Sequence, residues 1–353
     1  MGKIENGLEA LSHVENGGSL KDIFKNVITH QMCEIAVSLN GMEIKNVPVK
    51  LRTRDLFLTA VRNNGMAFGL FANHLILDTN EKKYYSQDEE IVSVAFSSNK
   101  ESLKFADEKI QKEYVKDSVN NLKYVADSVA YDIVKDNVEM LKYTNKKFVL
   151  KMVKGNGLLL KFVGDYSEDK NIVLVGVVNN GMALQYATSF KNDPEIVELA
   201  YISDNRSLKF ASDSIQINYI KKDCFNLQYA SDNLKDDKDV VLLAVSIDGR
   251  TLKYATKRLQ DDYEVVMTAV SNRGVALASA SRKLSNEKDI VMKAVQQNGY
   301  ALAFASDNIC NDKDVVLTAA ANGFDSIEFA GKDLRKDRDI ISARNIARNI
   351  ARR

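Results

Sequence analysis

Between residues 239 and 339 the chain repeats itself every 25 residues. The acidic residues Asp239, Glu264, Asp289, Asp314 and Asp339 mark the period, and Leu252, Leu277, Leu302 and Ile327 each follow their anchor by 13 residues. The leucine slot runs backwards through Leu227, Leu208, Leu184, Leu160, Leu141, Leu122, Leu103 and Phe68, and more weakly through Ile44 and Leu20. Most steps are 24–25 or 19 residues, and the longest, Phe68 to Leu103, contains the polar insertion DTNEKKYYSQ. Self-similarity at such a period is the signature of a repeat architecture, in which each unit cannot bury its apolar face alone. Fourteen slots cover almost the whole chain, so a repeat array is expected and a set of separate globular domains is not.

The spacing inside a unit says what the unit is. In DVVLLAV, residues 239–245, an acid opens an apolar run, where it favours the free N–H groups of a helix start. Gly249, Gly274 and Gly299 follow such runs, where a helix commonly ends in the left-handed conformation that glycine adopts at least cost. Leu252, Ala255 and Leu259 then fall at i, i+3 and i+7, one face of a second helix, and Leu302, Ala305 and Ile309 repeat this. Isolated helices below roughly 12–15 residues are marginal in water, so stacked neighbours must cover each other. The expected fold is all-α: a curved or superhelical solenoid of about fourteen short two-helix repeats of 19–25 residues, on the order of 100 Å long at the usual helix spacing. The 19-residue units, about 100–165, are expected to shorten their first helix and to change the curvature. Residues 1–50 read as degenerate N-terminal repeats or a cap, 51–339 as the array, with regular 25-residue units over about 227–339, and 340–353 as a basic capping helix.

The strings VVLLAVSIDGRTLKYAT, IVMKAVQQNGYALAFAS and IVLVGVVNNGMALQYAT resemble the tandem repeat known as domain of unknown function 4116. The resemblance is strong over 170–340, weaker over 50–165 and poor before residue 30. It implies an all-helical array of bacterial, protist or viral origin and points to an effector or inhibitor aimed at a host protein. It brings no catalytic residues.

Chemistry is sparse in the residues themselves. A formal charge of +1 gives no global field toward nucleic acid or an anionic membrane. No apolar run is long enough to span a bilayer, and no charged-then-apolar leader stands at Met1. Cys33, Cys224 and Cys310 are isolated and odd in number, which suits a reducing, cytoplasmic compartment. His30 and Cys33 form a His-x-x-Cys with no second ligand pair for a zinc site. The acidic run KDDKD lacks the order of a calcium loop, and GNG at 155–157 is not followed by the Lys-Ser/Thr of a phosphate loop. No nucleophile, base and orienter assemble from spacing, so no enzyme activity, cofactor or metal is expected.

One ladder singles itself out. The residue after the leucine slot is Lys104, Lys123, Lys142, Lys161, Lys209 and Lys253, with Gln185 and Gln228 between, and an aromatic follows each. At about 100° per residue, lysine and aromatic fall on opposite flanks of the core face, so stacking would line the lysines up. These six lysines are the candidate partner-binding residues. Such a row could hold single-stranded nucleic acid or an acidic protein strip. The simpler reading has the aromatics filling the seam between neighbours while each lysine lays its stem over them. Between residues 100 and 165, 13 Lys face 10 Asp plus Glu, which blunts any stripe. The tail SARNIARNIARR spaces Arg344, Arg348 and Arg352 by four, as a polar cap for the last repeat or a surface for an acidic partner. The expected function is a non-enzymatic scaffold for a protein partner, with nucleic-acid binding along the lysine row as the alternative and no membrane role.

Overall fold

The computed structural model describes residues 2–76 and 82–351; the first four residues of the polar insertion, 78–81, and Arg352 of the tail lie outside it. Among the described residues no strand forms, only the isolated bridges Ile4–Ile23 and Leu75–Tyr84. The fold is an all-α repeat array in which helices adjacent in sequence pack on one another. Its contacts divide it into two compact units, residues 1–152 with 162–166, and residues 153–161 with 167–353.

Each repeat begins with an α-helix, ten residues long from the second repeat on, as in Lys238–Ile247, Tyr263–Asn272 and Lys288–Gln297. The return leg is a six-residue 3₁₀-helix, as in Gly249–Tyr254, Gly274–Ser279 and Gly299–Phe304. The wider pitch has a physical use. At roughly 2.0 Å per residue, six residues climb about 12 Å, against about 9 Å in an α-helix, and so retrace most of the first helix. All fourteen leucine slots lie in 3₁₀ segments and are buried, twelve of them in six-residue legs and Leu20 and Ile327 in the shorter Leu20–Asp22 and Ser326–Phe329. Ala255 and Leu259 do not continue that helix: Ala255 is extended and ends it, and Leu259 opens a separate linking turn, Leu259–Asp261.

The acids that mark the 25-residue period are not the caps. Asp237, Asp262 and Asp312, two residues upstream, accept hydrogen bonds from the first-turn N–H groups of their helices. The marking acids sit in the first turn and meet the preceding repeat: Lys238 reaches Asp262 and Glu264 at 3.0 and 2.8 Å, Lys288 reaches Asp312 and Asp314, and Lys313 reaches Asp337 and Asp339.

The turn glycines are not left-handed. Only Gly17 and Gly164 have positive φ among the described residues. Gly249, Gly274 and Gly299 are needed because the next repeat presses on them. A Cβ there would fall far inside 3.0 Å of the carbonyl oxygens of Ala269, Ala294 and Ala319, closer than side chains come. The same holds for Gly41, Gly65, Gly157 and Gly181. The paired asparagines before Gly65 and Gly181 divide two tasks. Asn63 and Asn179 accept from the N–H of the previous repeat's Gly41 and Gly157, both at 2.7 Å, while Asn64 and Asn180 cap their own 3₁₀ segments.

The short units differ from expectation. Their first helices, Glu108–Asp117, Asp127–Asp136, Lys146–Gly155 and Asp213–Lys222, keep the full ten residues. What they lose is the linking turn, because Ala106 and Ala211 lead almost directly into the next helix. That turn normally supplies a carbonyl to the following repeat, as when Ser281 and Ser306 donate to Gln260 and Ser285. After two short units a buried glutamine supplies it instead. The Gln111 and Gln216 amides accept from the Ala126 and Ser231 N–H and donate to the Ala106 and Ala211 carbonyls, all at 2.7 Å.

Candidate interaction surface

The lysine ladder follows from the 3₁₀ segments. With about three residues per turn, consecutive side chains stand about 120° apart, and a long lysine folds back over its neighbour. Lys104, Lys123, Lys142, Lys209 and Lys253 place their ammonium 4.7–5.4 Å from the ring centroids of Phe105, Tyr124, Tyr143, Phe210 and Tyr254. Lysine and aromatic leave the segment on either side of the leucine, and the flexible lysine stem carries the ammonium back over the ring. Lys104, Lys123 and Lys142 belong to the first compact unit, and Lys161, Lys209 and Lys253 to the second. Lys161 follows Leu160 in the segment Gly157–Phe162. All except Lys104 are exposed, while the rings are half-buried. Each cation over its ring contributes about 0.5–1 kcal/mol at such sites, and the ring face is already occupied. Lys104 also meets Glu101 at 3.4 Å.

The other sequence candidates separate. His30 is exposed beside Glu34 at 3.4 Å, whereas Cys33 is buried and its thiol is pushed up to about 11, first by burial. The last helix, Arg338–Ala351, packs on Lys313–Asn322 and buries Ile340, leaving Ile346 and Ile350 exposed.

Features that the periodicity does not show arise where a regular unit meets a short one. The helices Glu89–Ser98 and Glu108–Asp117 touch far less than Lys170–Asn179 and Pro194–Ser203 do, and so do Pro194–Ser203 and Asp213–Lys222. Each gap is bridged by an aromatic pair, Phe96 with Tyr114 at 4.9 Å and Tyr201 with Tyr219 at 4.8 Å. Tyr114 and Tyr219 stand where the regular helices carry alanine, as at Ala95 and Ala200, just as Gln111 and Gln216 replace Val92 and Val197, and these exchanges mark the junctions in the sequence. Grooves of about 520 and 380 Å³ open beside them. Burial raises the Tyr219 phenol, and its ring lies 5.6 Å from the Lys222 ammonium. On the second unit, Val178 and Ile202 occupy the ninth position of successive first helices and are 57% and 70% exposed.

Ten-residue helices, 3₁₀ return legs and latches from each unit to the next define an all-helical repeat protein. The family model described as Domain of unknown function (DUF4116) matches residues 169–216, 214–260, 262–310 and 295–335, four times in tandem over 169–335. No curated protein and no solved structure matches the chain. Among the described residues no helix is long and apolar enough to cross a membrane.

Proposed function

We propose that this chain is a non-enzymatic scaffold that binds a protein partner along the exposed faces of its repeats. The observation that carries the reading is the aliphatic stripe of Val178 and Ile202, repeated in register on successive helices and left open to solvent. Lys154 and Lys221 hold the same position on the helices before and after, and an exposed apolar patch rimmed by polar residues suits protein recognition. The effector or inhibitor role that the resemblance implies is the same reading with a host protein as partner. Free thiols at Cys33, Cys224 and Cys310, all raised by burial before any nearby charge, suit a reducing cytoplasm.

The test is affinity capture with the full chain from its source cells, repeated with Val178→Lys and Ile202→Lys. A partner retained by the native chain and lost by both variants supports the reading. Equal recovery by all three proteins removes it from this strip.

The second reading, an anion bound along Lys104, Lys123 and Lys142 of the first compact unit or along Lys161, Lys209 and Lys253 of the second, draws on the regular seating of five of these ammonium groups over rings. It requires affinity for single-stranded nucleic acid that falls with salt and vanishes on changing Lys104, Lys123 and Lys142 to Glu. No binding at low salt ends it.

A further inference from the structure

The groove between the helices Glu89–Ser98 and Glu108–Asp117 has a definite chemical character. Its floor is Ile110 and the half-buried Tyr114, and its rim is Glu89, Glu90, Glu113 and Asp117. Among the described residues no cation belongs to its lining. Glu90 is held by Arg54 at 2.7 Å and Glu113 by Lys116 at 2.9 Å, while among the described residues Glu89 and Asp117 have no cation within ion-pair distance. Lys82, Lys83 and Lys109 line a neighbouring hollow that shares Glu89, Ile110 and Glu113. The corresponding groove at the other junction is different: Tyr201, Ile202, Ile215 and Tyr219 line it, with Glu198 and Lys222 cancelling. The acidity is therefore particular to the first groove and does not come with the geometry of a junction.

We propose that this groove docks a basic amphipathic helix of a partner protein, seating an aliphatic side chain on Ile110 and Tyr114 with Lys or Arg against Glu89 and Asp117, the two rim carboxylates that no ion pair occupies among the described residues. The proposal rests on the scaffold reading and names the chemistry of one partner. Two consecutive first helices that splay apart leave a trough into which a third helix packs side-on, ridge into groove. The apolar floor supplies burial. The rim selects the sign of the charge and speeds encounter, and exposed carboxylates of this kind act mostly on association and specificity. A helix with acidic flanks is disfavoured by the same two groups.

The probe is a fluorescein-labelled helical peptide of about three turns, with Leu on one stripe and Arg on both flanks. Its counterpart carries Glu in place of every Arg. Anisotropy titration of the full chain is expected to show saturable binding of the Arg peptide that weakens as salt rises toward about 0.15 M, and none of the Glu peptide. Glu113→Lys with Asp117→Lys is expected to weaken binding at least about tenfold. Ile110→Ser is expected to weaken it without changing the salt slope. If the reversed pair fails to fold by circular dichroism, Glu113→Gln with Asp117→Asn takes its place and is expected to flatten the salt dependence. Equal binding of both peptides, or undiminished binding by the groove variants, overturns the proposal. A captured protein partner whose retention ignores the groove variants but depends on Val178 and Ile202 overturns it as well and leaves the scaffold reading standing.

Discussion

Gly249 lies directly against the carbonyl oxygen of Ala269 in the next repeat, and its N–H donates to Asn272 Oδ1 at 3.1 Å. Contact and hydrogen bond belong to one joint: the chain can come close enough to donate only because no Cβ intervenes. Gly249→Ala is expected to cost about 1–3 kcal/mol, since an added methyl must push two backbones apart. Gly155→Ala, where a Cβ meets nothing within 4 Å, is expected to be neutral or slightly stabilising. Urea midpoints of the two variants check the contrast, and equal losses would refute it.

The glutamine substitute for the linking turn gives a second expectation. Gln216 is 1% exposed and joins Ala211 O to the Ser231 N–H. Gln216→Leu keeps the bulk but strands both backbone groups, at about 1–3 kcal/mol for each unmet group. Hydrogen exchange should show the Ser231 amide losing protection first.

The lysine clips make stability depend on acid. A hydrogen bond from Lys288 holds the Asp312 carboxyl below its ordinary 3.8, against burial, which raises it. A carboxyl whose folded value is depressed contributes stability fully above its unfolded value and loses it as pH falls through the folded one. Thermal midpoints are therefore expected to be flat from neutral down to about pH 4 and to fall below it. Lys288→Met should reduce that acid-induced drop, and an unchanged profile would show that the clip has no part in it.

At the second junction, Tyr201 donates from its hydroxyl to Asn226 Oδ1 at 2.6 Å, while Asn226 Nδ2 donates to the Tyr219 carbonyl at 3.0 Å. Tyr201→Phe keeps the ring pair and removes one bond, so a loss of about 1 kcal/mol is expected. Tyr201→Ala also removes the ring contact and should cost about 3–5 kcal/mol, read from the same denaturation curves.

Leu252 and its counterparts could be placed from sequence because burial leaves a periodic mark: an apolar residue recurs wherever a repeat must cover its neighbour. Gly249 was visible as a turn, but its reason was not, since the oxygen that excludes a Cβ belongs to Ala269, twenty residues on. The short units misled in the same way. Their missing six residues came out of the linking turn, whose buried Leu259, Leu284 and Ile309 read in the sequence as the continuation of a second helix, and the first helix kept its length. That Lys104 folds its stem back to set its ammonium 5.4 Å from the centre of the Phe105 ring was not legible either, because spacing gives the direction in which a side chain leaves the helix and not where its far end comes to rest.

By itself, then, the sequence determined the repeat, the helical class and the buried leucine slot, because these depend on local periodicity and on the need to hide apolar area. Tertiary structure alone decided the pitch of the return leg, the glutamine bridges and the acidic groove beside Tyr114. Those depend on how far the next repeat stands off, a distance set by packing between residues that no local pattern connects.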